Sequence, residues 1–255
     1  MQFNVFLSGG GLKGAYQYGF FRELYKLHPR FSVKHIYASS VGALNAGPIL
    51  VKRTDLLDQY WNNLEGKHPF ETIVKGWYDY TIHPHKLLLR VLQYNAVFDG
   101  IEESSLHDFW DSLNSYELNQ VKNKLTIISY DTTFKKPIFF KQFNTSKDLY
   151  LSVAASTRHP YLFRQSRLID GNIVTFNEVV KHAEEKTQEN EWLILELGGK
   201  KYDGNKYPHV YGPDTNKYNS FSSFTLDNQR IKNLVQEGGQ DAVQFFTVLK
   251  KMKAV

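Results

Sequence analysis

Ser8-Gly9-Gly10-Gly11-Leu12-Lys13-Gly14 and Ala38-Ser39-Ser40-Val41-Gly42 decide the fold, because each joins an apolar run to a helical one. Residues 2–7 alternate and carry Phe3, Val5 and Phe6, the pattern of a buried strand. A helix is predicted from Leu12 to Leu27, with Tyr16, Phe20, Leu24 and Leu27 at helical spacing and Pro29 as its stop. Residues 33–38 predict a second strand, and Val41 to Val51 a second helix. Strand, turn and helix repeated in immediate succession predict a parallel sheet with crossover helices, an α/β fold.

Outward from there the pattern continues with breaks. Asp55 to Leu113 reads as helical and aromatic, with Trp61, Trp77, Tyr78, Tyr80 and Trp110, cut into pieces by Gly66, Pro69, Pro84 and Gly100. Leu125 to Tyr130 predicts a core strand, and Ile138 to Phe143 its partner across a Lys135-Lys136-Pro137 turn. Leu149 to Ser156 predicts a short helix and Trp192 to Leu197 another buried strand. Gly198 to Phe224 is polar and too long for an ordinary connector, so it is expected to be a lid, a binding loop or disordered. Ile231 to Met252 predicts a closing helix interrupted at Gly238-Gly239. With no internal repeat, residues 1–255 are expected to form one domain, carrying the aromatic stretch 55–113 and the loop-rich insertion 198–224.

Bulk properties narrow the class. With 255 residues, 42% of them hydrophobic, the chain can bury a full core and is neither disordered nor fibrous. Aromatic residues make up 15%, enough both for core and for an apolar pocket or interfacial surface. A net charge of +5 favours anionic partners, membrane surface or nucleic acid. The clusters Lys135-Lys136, Lys200-Lys201 and Lys250-Lys251 with Lys253 read first as solvated surface, and no nucleic-acid partner is expected. The absence of cysteine excludes a disulfide scaffold, a cysteine–zinc site and a cysteine nucleophile, and fits a reducing cytoplasm. Met1 to Val5 lack the basic region of a secretory leader, and no apolar run reaches the ~18 residues that span a bilayer. A soluble cytoplasmic protein, at most peripheral at a membrane, is expected.

The two turns carry the candidate chemistry. A serine held on a sharp strand-to-helix turn needs small residues two before and two after it, because strand and helix approach closely there. Framing on Ser40 supplies Ala38 and Gly42, whereas framing on Ser39 would supply Tyr37 and Val41. Ser40 is therefore the candidate nucleophile, against the plain alternative of a helix-capping serine. Consecutive glycines sacrifice chain entropy, so Gly9, Gly10 and Gly11 imply a need for unobstructed backbone, either for N–H groups facing a developing oxyanion or for a tight turn that packs helix on strand. Lys13 falls in the first helical turn, where the dipole disfavours a cation, and so calls for an anion nearby. Gly9, Gly11 and Gly14 also match a dinucleotide fingerprint, but the second strand ends Tyr37-Ala38-Ser39 without the acid that pattern requires. Asp170, where Leu168-Ile169 runs into Gly171-Asn172, is either an ordinary turn aspartate or a carboxylate placed to serve the serine. The nine histidines show no metal-ligand spacing.

In combination and order, the glycine run, the Ser40 turn and Asp170-Gly171 resemble the patatin-like phospholipase family. Ala154-Ala155-Ser156-Thr157-Arg158-His159-Pro160 is similar to the family's small-residue helix and proline loop, and Leu193 to Gly198 to its following strand. The resemblance implies a three-layer α/β/α fold and a Ser–Asp dyad without histidine. Ser40 would attack an ester carbonyl of a phospholipid or lysophospholipid at a membrane surface, with Asp170 as general base. Backbone N–H groups of Gly10 and Gly11, with the neighbouring Gly9, would hold the oxyanion; Lys13, Gly14, Ala38, Gly42 and Gly171 support the motifs, and no metal or cofactor is implied. Two positions depart from the pattern. Ala38 replaces the usual first glycine of the serine turn, and Asn172 replaces a small residue; asparagine readily adopts left-handed geometry, so the turn is expected to survive. A Ser–Asp–His triad using His182 or His209 is the rival arrangement, and a catalytically silent scaffold binding lipid or protein is the rival function.

Overall fold

The computed structural model describes residues 2–62, 107–158, 167–183, 191–218 and 228–253. Of the sequence expectations, Trp77, Tyr78 and Tyr80, the breaks at Gly66, Pro69, Pro84 and Gly100, His159-Pro160, and the loop beyond Tyr218 lie outside the described residues. The order is β1 (Phe3–Leu7), α1 (Gly14–Leu27), β2 (Val33–Ser39), α2 (Val41–Leu50), α3 (Thr54–Asn62), α4 (Ser115–Lys124), β3 (Leu125–Asp131) and β4 (Lys136–Phe140). There follow α5 (Ser146–Thr157), β5 (Leu168–Asp170), α6 (Phe176–His182), β6 (Trp192–Leu195), β7 (Val210–Tyr211) and α7 (Asn228–Lys253). A 3-10 turn, Gly11–Lys13, precedes α1.

The strands form one mixed sheet in the order β4-β3-β2-β1-β6-β7, with β5 also paired to β3. The pairings of β1 with β2 and β6, of β2 with β3 and of β6 with β7 are parallel; β4 and β5 run antiparallel to β3. Helices cover both faces, giving the three-layer α/β/α architecture. Strand alternation divides the core accordingly. Phe3, Val5 and Leu7 face a cluster with Tyr16, Phe20 and Leu24 of α1 and Leu234 and Phe245 of α7. Phe6, Tyr37 and Ile128 face the other layer, against Val174, Phe176, Val179 and Trp192. Because both faces are covered, β1 is buried at every residue, as a central strand of a parallel sheet requires.

One register places the site. Along one edge of β3, β2 pairs up to Ser39 opposite Ile128. The next residue, Ser129, faces Asp170 of β5, which arrives from the opposite direction. Strands β2 and β5 thus meet end to end against β3, and their last residues, Ser39 and Asp170, become neighbours though far apart in sequence.

Two expectations are corrected. Helix α7 passes through Gly238-Gly239 without interruption. A Cβ on Gly238 would stand 2.1 Å from the Tyr16 carbonyl oxygen of α1, and one on Gly19 would stand 2.1 Å from the Val235 carbonyl oxygen. The glycines let two helices cross in backbone contact rather than ending one of them. The β3–β4 reversal lies at Thr132 to Lys135, where Lys135 has φ 51°, and Pro137 sits within β4 opposite Tyr130. An edge strand tolerates that proline because one side of its ladder is unpaired. The described part of the 198–224 stretch buries Tyr207 and His209 and adds β7 to the sheet.

Candidate active site

Ser40 stands between β2 and α2 with φ 53° and ψ −130°, a region that L-residues rarely adopt. Its side chain makes no capping hydrogen bond, so the helix-cap alternative is overturned. Instead Ser40 Oγ donates to Asp170 Oδ2 at 2.9 Å. The strained backbone is held from several sides. The Ser40 N–H donates to Ser156 Oγ at 2.9 Å, and Ser156 in turn donates to the Ile128 carbonyl of β3. The Ser40 carbonyl accepts from the Ala43 N–H at 2.9 Å. A Cβ on Gly42 would lie 2.4 Å from the Leu7 carbonyl oxygen, so α2 lies directly against β1 only because that residue is glycine. Ala38 is fully buried within β2, and its methyl is accommodated there.

Asp170 is nearly as buried as the serine, at 9% against 8% exposure. Its Oδ1 accepts the Asn172 N–H at 2.8 Å, and its own N–H donates to the Arg158 carbonyl at 2.7 Å. Burial pushes the Asp170 carboxyl up to about 6, against the opposing pull of the Asn172 N–H, the Ser40 hydroxyl and the Lys200 charge. Gly171 is required by close approach, since a Cβ there would meet the Ile128 carbonyl oxygen at 1.9 Å. The turn after Asp170 accommodates Asn172 without left-handed geometry, in a 3-10 turn that aims its N–H back at the carboxylate.

The glycine turn closes over the serine. A Cβ on Gly9 would stand 2.6 Å from Ser40 Cβ, and one on Gly10 would stand 2.5 Å from Leu197 Cβ. Gly11 has φ 57°. Among the described residues, the N–H groups of Gly9, Gly10 and Gly11 have no protein acceptor. A Cβ on Gly14 would collide with Val41 Cγ2 at 2.4 Å, so the two site helices also pack through a glycine.

Polar residues that sequence reasoning passed over pin this turn from below. Gln17 Nε2 donates to the Ser8 carbonyl at 2.9 Å. Asn45 Nδ2 donates to the Gly14 carbonyl at 3.0 Å and to Gln17 Oε1 at 3.2 Å, while Trp61 Nε1 donates to Asn45 Oδ1 at 3.1 Å. Ser8 Oγ accepts the Leu197 N–H at 2.7 Å. The available signal was chemical: Gln17 and Asn45 interrupt otherwise apolar helical faces, and buried amides require partners.

Lys13 is buried, and burial lowers its pKa while the Glu196 carboxylate acts in the other direction. Neither rival histidine approaches the carboxylate. His182 stacks on Phe139 with ring centroids 3.6 Å apart, and His209 lies edge-on between Phe3 and Phe245. Among the described residues there is no cluster of metal-ligating side chains, and no helix is long and apolar enough to cross a membrane.

Compared with known proteins, the sequence profile of patatin-like phospholipases matches residues 5–182, from β1 to the end of α6. The chain belongs to the patatin-like phospholipase family. Two solved structures are similar to it. VipD from Legionella pneumophila shares 16% identity at a TM-score of 0.42, over 79% of this chain and 51% of that one. The ExoU–SpcU heterodimer from the Pseudomonas aeruginosa type III secretion system shares 17% at a TM-score of 0.37, over 94% and 52%. The chain thus spans about half the length of both of these proteins. No curated protein matches it in sequence.

Proposed function

We propose that this patatin-like phospholipase family member is a serine acyl hydrolase cleaving ester bonds of membrane lipids, of phospholipase A or lysophospholipase type. The observation that carries the proposal is the 2.9 Å hydrogen bond from Ser40 Oγ to Asp170 Oδ2, beside unengaged glycine amides. In this reading Ser40 Oγ attacks the ester carbonyl carbon as its proton passes to Asp170. The carbonyl oxygen gathers negative charge in front of the N–H groups of Gly9, Gly10 and Gly11. Each such donor contributes roughly 3–4 kcal/mol of transition-state stabilisation in measured cases. Asp170 then protonates the departing alcohol, leaving an acyl-serine. Water attacks that ester, gives its proton to Asp170 and releases the fatty acid, and the proton returns to Ser40. A carboxyl raised to about 6 is a better base than an ordinary aspartate and is still largely ionised at neutral pH.

The test is hydrolysis of phospholipids, lysolipids, triacylglycerol and acyl-thioesters, run beside Ser40→Ala, with fluorophosphonate labelling of both proteins. Labelling and lipid cleavage that both vanish in Ser40→Ala are expected. Folded wild-type protein that neither labels nor cleaves any of these would instead be the silent scaffold.

A further inference from the structure

We infer that the turn joining β3 to β4 is a docking tip for an anionic bilayer surface, seating the Ser40 site against its substrate. The inference rests on the lipid-hydrolase reading above. Phe134 is 60% exposed at the tip of this turn, presenting an aromatic ring to solvent. Its presentation is a built feature. Buried Asp131 accepts the N–H groups of Thr133 and Phe134 at 2.9 and 3.0 Å through one carboxylate oxygen. Through the other it accepts Arg167 Nε at 2.9 Å, while the Thr132 N–H donates to the Arg167 carbonyl at 2.8 Å. A turn tied down in this way holds the ring outward, so little ordering remains to be done when it binds.

Charge identifies the occupant. Arg167 and Lys136 place their cationic groups 4.9 and 5.4 Å from the centre of the Phe134 ring, and Lys135 stands exposed beside them. Asp131 offsets Arg167, leaving the two lysines to give the tip a positive excess. An aromatic ring ringed by cations matches the region just below lipid phosphates, where the ring enters the acyl boundary and the cations pair with headgroups. The tip also lies at the right end of the molecule. Asp131 is paired with Leu168, two positions along the ladder from the pairing of Ser129 with Asp170. Just past Asp170 in the chain, Ile173 is 46% exposed, and Lys200 Nζ donates to the Asn172 carbonyl at 3.1 Å, adding an apolar and a cationic group near the carboxylate.

The experiment uses the full chain carrying Ser40→Ala, so that vesicles are not consumed, in flotation with phosphatidylcholine vesicles with and without phosphatidylserine. Binding is expected to be stronger with phosphatidylserine and to weaken with salt. Lys135→Glu with Lys136→Glu should lower binding to the anionic vesicles about tenfold or more. Phe134→Ser should lower it roughly tenfold on both vesicle types. In otherwise wild-type enzyme the same changes should depress hydrolysis of vesicle lipid and leave hydrolysis of a soluble short-chain ester unchanged. Vesicle binding indifferent to all three changes, or an equal loss on soluble ester, overturns the docking tip. Binding that depends on Phe134 in a chain inactive on every ester would overturn the hydrolase reading and leave the tip standing.

Discussion

Asp170 is stationed where its charge destabilises the folded chain, and this gives the proposed base a signature independent of turnover. Its carboxyl is raised to about 6 by burial, whereas in the unfolded chain it titrates near 4. Between those values the folded protein holds a proton that the unfolded chain has released, so stability falls as pH rises through the window. Asp170→Asn keeps an acceptor for the Asn172 N–H and a partner for Ser40 Oγ while removing the buried charge. It should therefore stabilise the protein by roughly 2 kcal/mol at neutral pH, with the gain fading below pH 4, as urea unfolding at the two pH values would register. The same change should lower kcat by roughly a thousandfold or more, by analogy with the loss of a triad member. In the wild type, kcat/KM should rise with pH to a plateau with its midpoint near 6, because the base acts only when ionised. Loss of stability at neutral pH in Asp170→Asn would show that the carboxylate is structural. Ser40 and the glycines were singled out because each sits in a local pattern with a steric reason, whereas Asp170, alone an ordinary turn aspartate, was singled out only through the family resemblance. Ser156, which accepts the Ser40 N–H, was visible only as one small residue in a helix, since its role depends on a register between distant segments.

Elements announced themselves through periodicity, and the misreadings came where glycine or proline has more than one use. Gly238-Gly239 reads as a helix break on propensity, yet α7 continues because tertiary packing rewards a missing side chain. The two glycines should answer oppositely to one methyl group. In Gly238→Ala the new carbon meets the Tyr16 carbonyl oxygen at 2.1 Å, so α1 and α7 must separate, with an expected loss of about 1–3 kcal/mol. In Gly239→Ala the nearest atom is Glu23 Cβ at 3.7 Å, an ordinary contact. Helix propensity should then decide, giving a gain of about 0.5–1 kcal/mol. Thermal unfolding of the pair should move in opposite directions, and movement in the same direction would mean that the crossing is looser than described. Pro137 misled in the same manner, marking an edge strand rather than the turn itself.

The molecule does not end where its family signature ends. The matched residues, 5–182, hold Ser40, Asp170 and the glycine turn, but β1 is central only because β6 pairs with its far side. Helix α1, which carries the glycine turn at its start, is roofed by α7. Hydropathy alone could forecast the strand at Trp192 and the closing helix, but not that they complete the site's scaffold, because parallel pairing across the chain leaves no local trace. A chain cut after Tyr218 tests this dependence. It would lose the packing of Ile231, Leu234, Val235, Ala242, Phe245 and Leu249, all buried against the α1 side of the sheet. At about 1.5–3 kcal/mol for each large apolar side chain, roughly 10 kcal/mol of burial disappears. That matches the whole net stability of an ordinary domain, about 5–15 kcal/mol. The shortened chain, with every proposed catalytic group still present, should show no cooperative unfolding transition, bind a hydrophobic dye and fail to label with fluorophosphonate. Cooperative unfolding with labelling intact would instead mean that the segment up to Tyr218 carries its own core and that α7 is an accessory.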